Sequence, residues 1–322
     1  MKTKRITVLA LLCTMALASV AQAAEKSPVE IGHDDEAGQM RVLIDGQEAF
    51  VYQHSKDVDL PHFFPLRSPG GKSMTVQHPN PYPHHRSVWF GDKVKLEGER
   101  PVSFYNALYS SADKKNPAAP FKDHVRHLEF SKTTLTGKQA ALSERLVWEM
   151  DHIKPVLDEL REITVVALGG GEYLLDINFK LTAAHGEVKF VSDSVHYAWP
   201  YVRMNTAFSV DGGGKIVNSE GEVNQKGTNN RVTQWIDYSN TVEGETAGLA
   251  IFSHADNPRP HRWLTRDYGT FGPRRTDEKS GKPFALNKGE SLSMRVGILV
   301  HRGDVTGGKV KQRYDQYNTG KL

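Results

Sequence analysis

The sequence predicts an all-β fold, a large antiparallel β-sandwich, and three observations support this. Apolar and polar residues alternate at strand spacing in several segments. Glycine-containing turns separate neighbouring segments of this kind. Long helical patterns with caps are missing, apart from a possible terminal helix around 310–317. Together these features favour many antiparallel strands that pack as a sandwich.

The individual elements follow from the same patterns. Segments 40–45 and 48–52 flank Asp45-Gly46-Gln47 and predict a hairpin, because Gly46 can adopt the positive φ of a tight turn. Glycines at 137 and at 169–171 mark two further strand pairs, and strict alternation over 174–181 and 292–300 predicts two more strands. Segments 61–86 and 256–275 lack this regularity and are predicted to be ordered functional loops.

The first 23 residues have the pattern of a signal peptide. Lys2, Lys4 and Arg5 precede an apolar run over 6–20, and Ala21-Gln22-Ala23 fits a signal-peptidase site. The run is too short to cross a bilayer comfortably. We therefore expect cleavage after residue 23 and a periplasmic or secreted mature chain. No repeat and no Pro/Ser linker divides 24–322, which favours a single domain.

Charge and cysteine content exclude several function classes. The 41 Lys+Arg face 38 Asp+Glu, and removing the three basic residues of the signal segment leaves 38 against 38. Nucleic-acid and membrane-surface partners are disfavoured, because proteins that bind either normally carry an excess of basic residues and this chain is close to neutral. Cys13, the single cysteine, lies in the signal segment. Disulfides and thiolate chemistry are thus not expected, nor is a membrane span; the oligomeric state stays open.

The densest candidate site is segment 78–92, with three histidines, an arginine and a tryptophan. Three prolines stiffen its backbone and lower the entropy cost of presenting these side chains together. His84 and His85 are candidate catalytic residues, because imidazole transfers protons near neutral pH. Arg86 and Trp89 are candidate substrate-binding residues. The alternative is that one histidine packs inward and the other is solvated.

Two further segments carry candidates. In 63–72, Arg67 could bind a carboxylate or sulfate of a substrate, or else bond only to backbone carbonyls. In 251–269, which follows an apolar strand, His254 and Tyr268 are candidate catalytic residues, with a structural role as the alternative for His254. The candidate substrate-binding residues of this third segment are Arg259 and Trp263.

Weaker signals have ready structural explanations. Glu159 and Arg161 share one strand face and can form an ion pair, and the aromatics of 196–201 suit either core packing or sugar stacking. Zinc could be held by several of the histidines, but no His-Glu-x-x-His array or comparable spacing exists. We therefore expect no cofactor, with a divalent metal such as zinc as the alternative.

The order of three motifs carries a family resemblance: Pro65-Leu66-Arg67-Ser68-Pro69-Gly70-Gly71, then His84-His85-Arg86 with Trp89-Phe90, then Ala250-Ile251-Phe252 with His254 and Asn257-Pro258-Arg259. Over nearly the whole mature chain, the sequence resembles a bacterial secreted family often labelled PmoA or methane oxygenase. A membrane monooxygenase subunit needs transmembrane helices, so the activity in that label is not carried over.

The resemblance implies a β-sandwich found among glycan-degradation genes, here expected as a supersandwich of the galactose-mutarotase-like kind. Relatives commonly show a glycine after the His-His-Arg triplet and an Asn-Gly pair after the next strand, where this chain has Ser87 and Lys95-Leu96-Glu97-Gly98. The substrate pocket is therefore expected to differ from that of relatives.

These observations lead to a carbohydrate-active protein. The leading hypothesis is a lyase or dehydratase acting on a uronate oligosaccharide, with His84 or His85 as base, Arg86 and Arg67 as carboxylate clamp, and His254 or Tyr268 as acid. A glycoside hydrolase, which would need two carboxylates flanking the bond, is one alternative. A non-catalytic glycan-binding protein that stacks sugars on tryptophans is the other.

Overall fold

The computed structural model describes residues 27–110, 121–191, 197–257, 261–275 and 284–322. The strands and α-helices of these residues are, in chain order, β1 (Val29–Asp34), β2 (Gln39–Ile44), β3 (Gln47–Gln53), β4 (His62–Leu66), β5 (Val88–Trp89), β6 (Lys93–Leu96), β7 (Pro101–Ser103), β8 (His124–Phe130), β9 (Thr134–Thr136), β10 (Gln139–Met150), β11 (Lys154–Gly169), β12 (Glu172–Thr182), β13 (Val188–Phe190), β14 (Tyr201–Arg203), β15 (Lys215–Asn218), α1 (Asn224–Thr228), β16 (Trp235–Val242), β17 (Glu245–Ser253), β18 (Trp263–Thr265), β19 (Thr270–Pro273), β20 (Phe284–Leu286), β21 (Ser291–Arg302) and α2 (Val310–Asn318). Short 3-10 helices occupy Phe104–Tyr109, Thr206–Phe208 and Val210–Gly212.

Two large antiparallel sheets dominate the described part of the chain. One has eight strands in the order β1-β2-β3-β4-β5-β14-β19-β18. The other has nine, in the order β15-β16-β17-β21-β12-β11-β10-β8, with β9 paired to β10. A smaller sheet of four strands runs β20-β13-β6-β7. The predicted all-β, large antiparallel sandwich is confirmed.

The hydrophobic core lies between the two large sheets. Phe90, just after β5, packs against Trp148 of β10 and Phe179 of β12, with ring centroids 5.4 and 4.6 Å apart. Phe50 of β3 contacts Tyr173 of β12 at 5.9 Å in the same way. Full burial of an aromatic side chain stabilises the fold by roughly 2–3 kcal/mol, so such contacts hold the sheets together.

Several predicted elements are confirmed. The first hairpin joins β2 to β3 through Asp45 and Gly46, both at positive φ (51° and 78°). The alternating segments become β12 and β21, which pair with each other, and the terminal helix is α2. Helix α2 packs on the outer face of the nine-stranded sheet through residues such as Tyr314 and Tyr317. No helix in the described ranges is both long and apolar enough to cross a membrane.

The two predicted functional loops are partly wrong, because each contains sheet strands. Segment 61–86 includes β4, which pairs with β3 and β5, and segment 256–275 includes β18 and β19. Phe63, Leu66, Trp263 and Leu264 are buried in these strands. Burial of such side chains outweighs the turn-like proline and glycine content that suggested loops.

Candidate functional site

Segment 78–86 links β4 to β5 and is held by its own backbone hydrogen bonds. The amide of Tyr82 donates to the carbonyl of Pro79 (2.7 Å), and that of His85 donates to the carbonyl of Tyr82 (2.9 Å). The amide of His78 donates to the carbonyl of His85 (2.9 Å) and closes the loop. The proline-rich sequence favours such successive turns, which place the histidines side by side.

The rings of this loop form a stacked column with rings from other parts of the chain. Tyr268 stacks on Tyr82 (5.5 Å between centroids), Tyr82 on His85 (4.9 Å), and Trp89 on Tyr201 (4.8 Å). His85 and Trp89 join the two halves at 5.3 Å. Offset ring pairs of this kind add about 0.5–1.5 kcal/mol each beyond their burial. The column therefore brings Tyr268, far along the chain, to the segment that carries His84.

His84 lies at the surface of this group, which we call the histidine–tyrosine cluster: Tyr82, His84, His85, Tyr105, Tyr109 and Tyr268. Its Nδ1 is 3.0 Å from the hydroxyl of Tyr109, and its ring meets that of Tyr105 edge-on at 5.1 Å. His84 is half-buried, whereas Tyr109 is 58 % exposed. Burial, and secondarily the positive charge of Arg86, lowers the pKa of His84. Its imidazole is therefore neutral near pH 7 and within reach of a ligand.

His85 is the buried member of the histidine pair. Its Nε2 is 3.1 Å from the hydroxyl of Tyr105, and its Nδ1 has no hydrogen-bond partner among the described residues. Burial lowers the pKa of His85 to about 3, with further contributions from His84, Arg203 and Arg86. A side chain only 3 % exposed cannot meet a ligand without rearrangement, so its position suits support of the neighbouring His84 better.

Arg86 points away from the cluster into the interior. It forms a buried ion pair with Asp59, and both side chains are only 2 % exposed. A second nitrogen, Nη1, lies 2.9 Å from Nδ1 of His78 and 3.2 Å from the carbonyl oxygen of Pro83. Arg86 and His78 line a cleft of about 690 Å³. The charge of Arg86 is thus already neutralised, which disagrees with its expected role as a carboxylate clamp.

Arg67 lines the same cleft from the other side and is also paired. Its Nε donates to Oε1 of Glu48 (2.8 Å), and its Nη1 donates to the carbonyl oxygen of Gly71 (3.2 Å). The side chain is about one third exposed. Arg67 thus bonds to a backbone carbonyl, as the alternative expected, and also forms an ion pair with Glu48 that the sequence did not predict.

The structure does not bring His254 to the cluster. His254 follows β17 and its imidazole packs edge-on against Tyr317 of α2 at 5.0 Å, with Nε2 3.3 Å from Nη1 of Arg295. These contacts lie on the face of the nine-stranded sheet that carries α2, whereas the cluster is built on the eight-stranded sheet. The expectation that His254 joins His84 is wrong, because β17 ends on a different sheet.

The two tryptophan predictions fail for a common reason. Trp263 of β18 is fully buried and donates from Nε1 to the carbonyl oxygen of Thr233 (2.8 Å). Trp89 of β5 is 2 % exposed, although it belongs to the stacked column. Neither ring presents a face to a ligand, since every residue of β5 and of β18 is buried. Arg259 and the predicted signal peptide lie outside the described residues.

Four residues in or beside the cluster were not predicted from the sequence. Tyr105 and Tyr109 come from the 3-10 helix Phe104–Tyr109, and Tyr82 lies within the proposed motif itself. Arg203 of β14 lies 4.6 Å from the ring centroid of Tyr268 and donates to its backbone oxygen. The spacing of the two helix tyrosines was visible, but nothing in the sequence places them against 78–86.

Three carboxylates beside the cluster are engaged in other contacts. Asp59 is paired with Arg86, and Asp92 is fully buried and accepts from Arg275 (3.0 Å) and from Nε1 of Trp199 (2.9 Å). Asp267 accepts from the amide of Gln225 (2.8 Å). Among the residues that the structure describes, no group of three or more His, Cys, Asp or Glu is arranged to hold a metal ion.

The fold and site thus define a large antiparallel β-sandwich protein with a surface cluster of imidazole and phenol groups. The chain belongs to a family of unknown function, DUF6807, whose model matches residues 39–315. No curated protein matches the sequence. The resemblance to the PmoA-labelled family stays a prediction, because the matching family model does not carry that label.

Solved structures resemble the chain at low sequence identity. The α-galactosidase AgaB of glycoside hydrolase family 36 from Geobacillus stearothermophilus has a TM-score of 0.48 at 11 % identity, covering 87 % of this chain and 42 % of that protein. The α-galactosidase from Lactobacillus brevis gives 0.44 at 7 % identity, covering 80 % and 39 %. Galactose 1-epimerase from Lactobacillus acidophilus NCFM gives 0.40 at 8 % identity, covering 86 % and 100 %. The chain therefore spans about two fifths of the α-galactosidases.

Proposed function

We propose that this protein is a carbohydrate-active enzyme in which His84 and Tyr109 transfer protons to and from a sugar. The observation that carries the proposal is the contact of 3.0 Å between His84 Nδ1 and the Tyr109 hydroxyl, at the exposed edge of the histidine–tyrosine cluster. If Nδ1–H donates to that hydroxyl, Nε2 is left free to accept a proton and the hydroxyl hydrogen is left free to donate.

This pair supplies one base and one acid, which an elimination by a lyase or dehydratase requires. The lowered pKa of His84 keeps the base unprotonated at neutral pH. Tyr109 also offers an exposed ring face on which a sugar can pack. The other rings of the column stack on each other, so their faces are covered. They hold the exposed residues in place but offer no surface on which a sugar can pack.

The contacts of the arginines leave the carboxylate of a uronate without a free cationic partner in this structure. Arg86 is paired with Asp59 and Arg67 with Glu48, so a substrate carboxylate would have to compete with an internal one. Arg203 lies 6 % exposed beneath Tyr268. The contact between His84 and Tyr109 therefore supports the acid–base pair of a uronate lyase, whereas the paired arginines do not support its carboxylate clamp.

The two alternatives receive less support from the same contacts. A glycoside hydrolase needs two carboxylates facing the bond, whereas Asp59 and Asp92 beside the cluster are buried and paired with arginines. A binding module that stacks sugars on tryptophans finds Trp89, Trp199 and Trp263 at most 2 % exposed. An acid–base enzyme fits the exposed groups better than either.

The test is turnover of neutral and uronate oligosaccharides, followed by mass spectrometry of products and by the ultraviolet absorbance of a new unsaturated bond. His84→Gln should lose roughly 100-fold or more in kcat, since general base catalysis contributes 10²–10⁴. His185→Gln is the matched control, because His185 is exposed and pairs only with Asp158 among the described residues. Turnover unchanged in His84→Gln would remove the mechanism. Tight sugar binding with no product after long incubation would favour the binding module.

A further inference from the structure

A chain of buried polar side chains crosses the sandwich away from the histidine–tyrosine cluster. Arg161 of β11 pairs with Glu159 (2.7 Å) and donates to the hydroxyl of Tyr52 (2.5 Å). Tyr52 of β3 donates to Oε2 of Glu144 (2.5 Å). His127 of β8 completes the chain, with Nδ1 2.7 Å from Oε1 of Glu144. The chain thereby connects both large sheets to one imidazole.

Stability alone does not account for such a chain. Glu144, Glu159 and Arg161 are all at most 3 % exposed, and burying ions costs several kcal/mol each before pairing offsets it. Apolar residues of similar volume often serve the interior equally well or better. The chain reaches the surface at His127, which lines a cleft of about 530 Å³. A carboxylate behind an imidazole fixes the orientation of its ring, as in catalytic and metal-binding histidines.

A second histidine, His54, lies beside His127 in the lining of this cleft. The ring of His54 lies 4.5 Å from that of His127, and both rings contact Phe130, at 5.0 and 4.4 Å. His54 is 8 % exposed, and its Nε2 has no hydrogen-bond partner among the described residues. Burial, and then the neighbouring His127, lowers the pKa of His54. A buried polar atom left without a partner costs roughly 1–3 kcal/mol unless a ligand or water supplies one.

The charges on the opposite wall are satisfied within the protein. Glu149 accepts from Arg126 at 2.7 and 2.9 Å and from His124 at 3.0 Å. Although burial raises the pKa of Glu149, these hydrogen bonds lower it to about 2, so it stays ionised and paired. Val58 and Val125 add apolar surface to the lining. Asp35, Glu36, Asp57 and Lys56 also line the cleft, and three carboxylates against one ammonium group disfavour an anionic ligand.

We propose that this cleft is a binding site for a neutral sugar or polyol, whose hydroxyls hydrogen-bond to His54 and His127. A hydroxyl both donates and accepts, so it satisfies Nε2 of His54 in either tautomer once this buried ring turns towards the cleft, whereas a carboxylate or phosphate satisfies only one. The volume is within the range of small-molecule sites, about 300–1,000 Å³. Glu144 and Tyr52 act as positioning residues for His127.

The proposal does not depend on the function proposed for His84. The cleft shares Asp57 and Val58 with the cleft lined by Arg86, so the two run side by side. An oligosaccharide bound at one cleft would extend towards the other. Binding here and turnover at the cluster are nevertheless separate measurements, and either can fail without the other.

The experiment is NMR of the histidine rings during titration with glucose, galactose and glucuronate. Neutral sugars should shift the His54 and His127 signals and leave that of His185 in place. His54→Gln should weaken neutral-sugar binding by about tenfold, the effect of one lost buried hydrogen bond. Tyr52→Phe, which breaks the chain behind His127, should weaken it less. His84→Gln should leave binding at this cleft intact.

Three outcomes would overturn the proposal. These are the absence of any sugar-induced shift at His54 and His127, equal binding by His54→Gln and the native protein, and preferential binding of glucuronate. A folded His54→Gln variant, checked by circular dichroism, keeps the second comparison valid even if Tyr52→Phe fails to fold. If neutral sugars produce these shifts but the native protein turns over no oligosaccharide, the function proposed for the histidine–tyrosine cluster fails and the proposal for this cleft stands.

Discussion

Two segments with similar composition end in very different surroundings. Segments 78–92 and 251–268 both combine histidine, arginine, tryptophan and proline. The first keeps its side chains together, because three local hydrogen bonds hold its loop. The second disperses them: His254 goes to the outer face of one sheet, Trp263 into the core, and Tyr268 to the cluster. Local density of functional residue types predicts a site only where the backbone keeps them in one loop.

The largest effect is expected at the first segment, from Arg86→Met. This change leaves Asp59 buried without a partner and should cost about 3–5 kcal/mol of unfolding free energy in urea denaturation. Arg86→Met combined with Asp59→Asn should recover part of the loss, because the unpaired charge is gone. Arg41→Met, an exposed pair with Glu48, is the control and should cost below about 1 kcal/mol. Equal costs at both positions would contradict the buried pair.

The second segment should respond to Trp263→Phe through stability alone. The change removes the hydrogen bond to Thr233 and leaves a small cavity, at a cost of about 2–3 kcal/mol in unfolding free energy. Sugar turnover should stay within twofold of the native protein. Tyr109→Phe should behave in the opposite way, with little change in stability and a clear loss of turnover. A loss of turnover in folded Trp263→Phe would place that segment in the site after all.

Buried histidines in or beside both segments should make the stability of the protein depend on pH. Burial lowers the pKa of His62, beside the first segment, and of His261, in the second, to about 4 from 6.5. Between these values the unfolded chain binds protons that the folded one does not, so stability falls as pH falls from 6.5 to 4. His62→Gln and His261→Gln should each flatten this slope, by up to about 1.4 kcal/mol per pH unit. Unfolding in urea at several pH values gives the slopes, and unchanged slopes would contradict the buried neutral rings.

The smallest effect is expected from His254→Gln. Its imidazole packs against Tyr317 and Arg295 and is remote from His84 in the fold, so sugar turnover should change less than twofold. Stability should fall by about 1 kcal/mol or less, since an edge-on ring pair and long hydrogen bonds of 3.1 and 3.3 Å hold this imidazole. A tenfold loss of kcat in this variant would show that the two segments act together.

Strand pairing explains why the site was only half predictable. The histidines at 84 and 85 were recognisable from composition, and their loop contacts are local. Tyr105, Tyr109 and Arg203 come from elements that meet 78–86 only because β5 pairs with β14 and precedes the 3-10 helix. The buried chain from Arg161 to His127 joins β3, β8, β10 and β11 and left one trace in the sequence, the shared face of Glu159 and Arg161. That pair was predicted to be ionic, and the structure shows its ion pair.

By itself the sequence determined the first hairpin, the strands β12 and β21 and the terminal helix, because periodicity and glycine positions act over a few residues. It also determined which loop would present neighbouring imidazoles. Only the tertiary structure decided which side chains those imidazoles meet, which arginines are already paired with carboxylates, and which tryptophans are buried. Such contacts depend on which strands are neighbours in a sheet, and sheet neighbours are chosen by burial over the whole chain rather than by any local pattern.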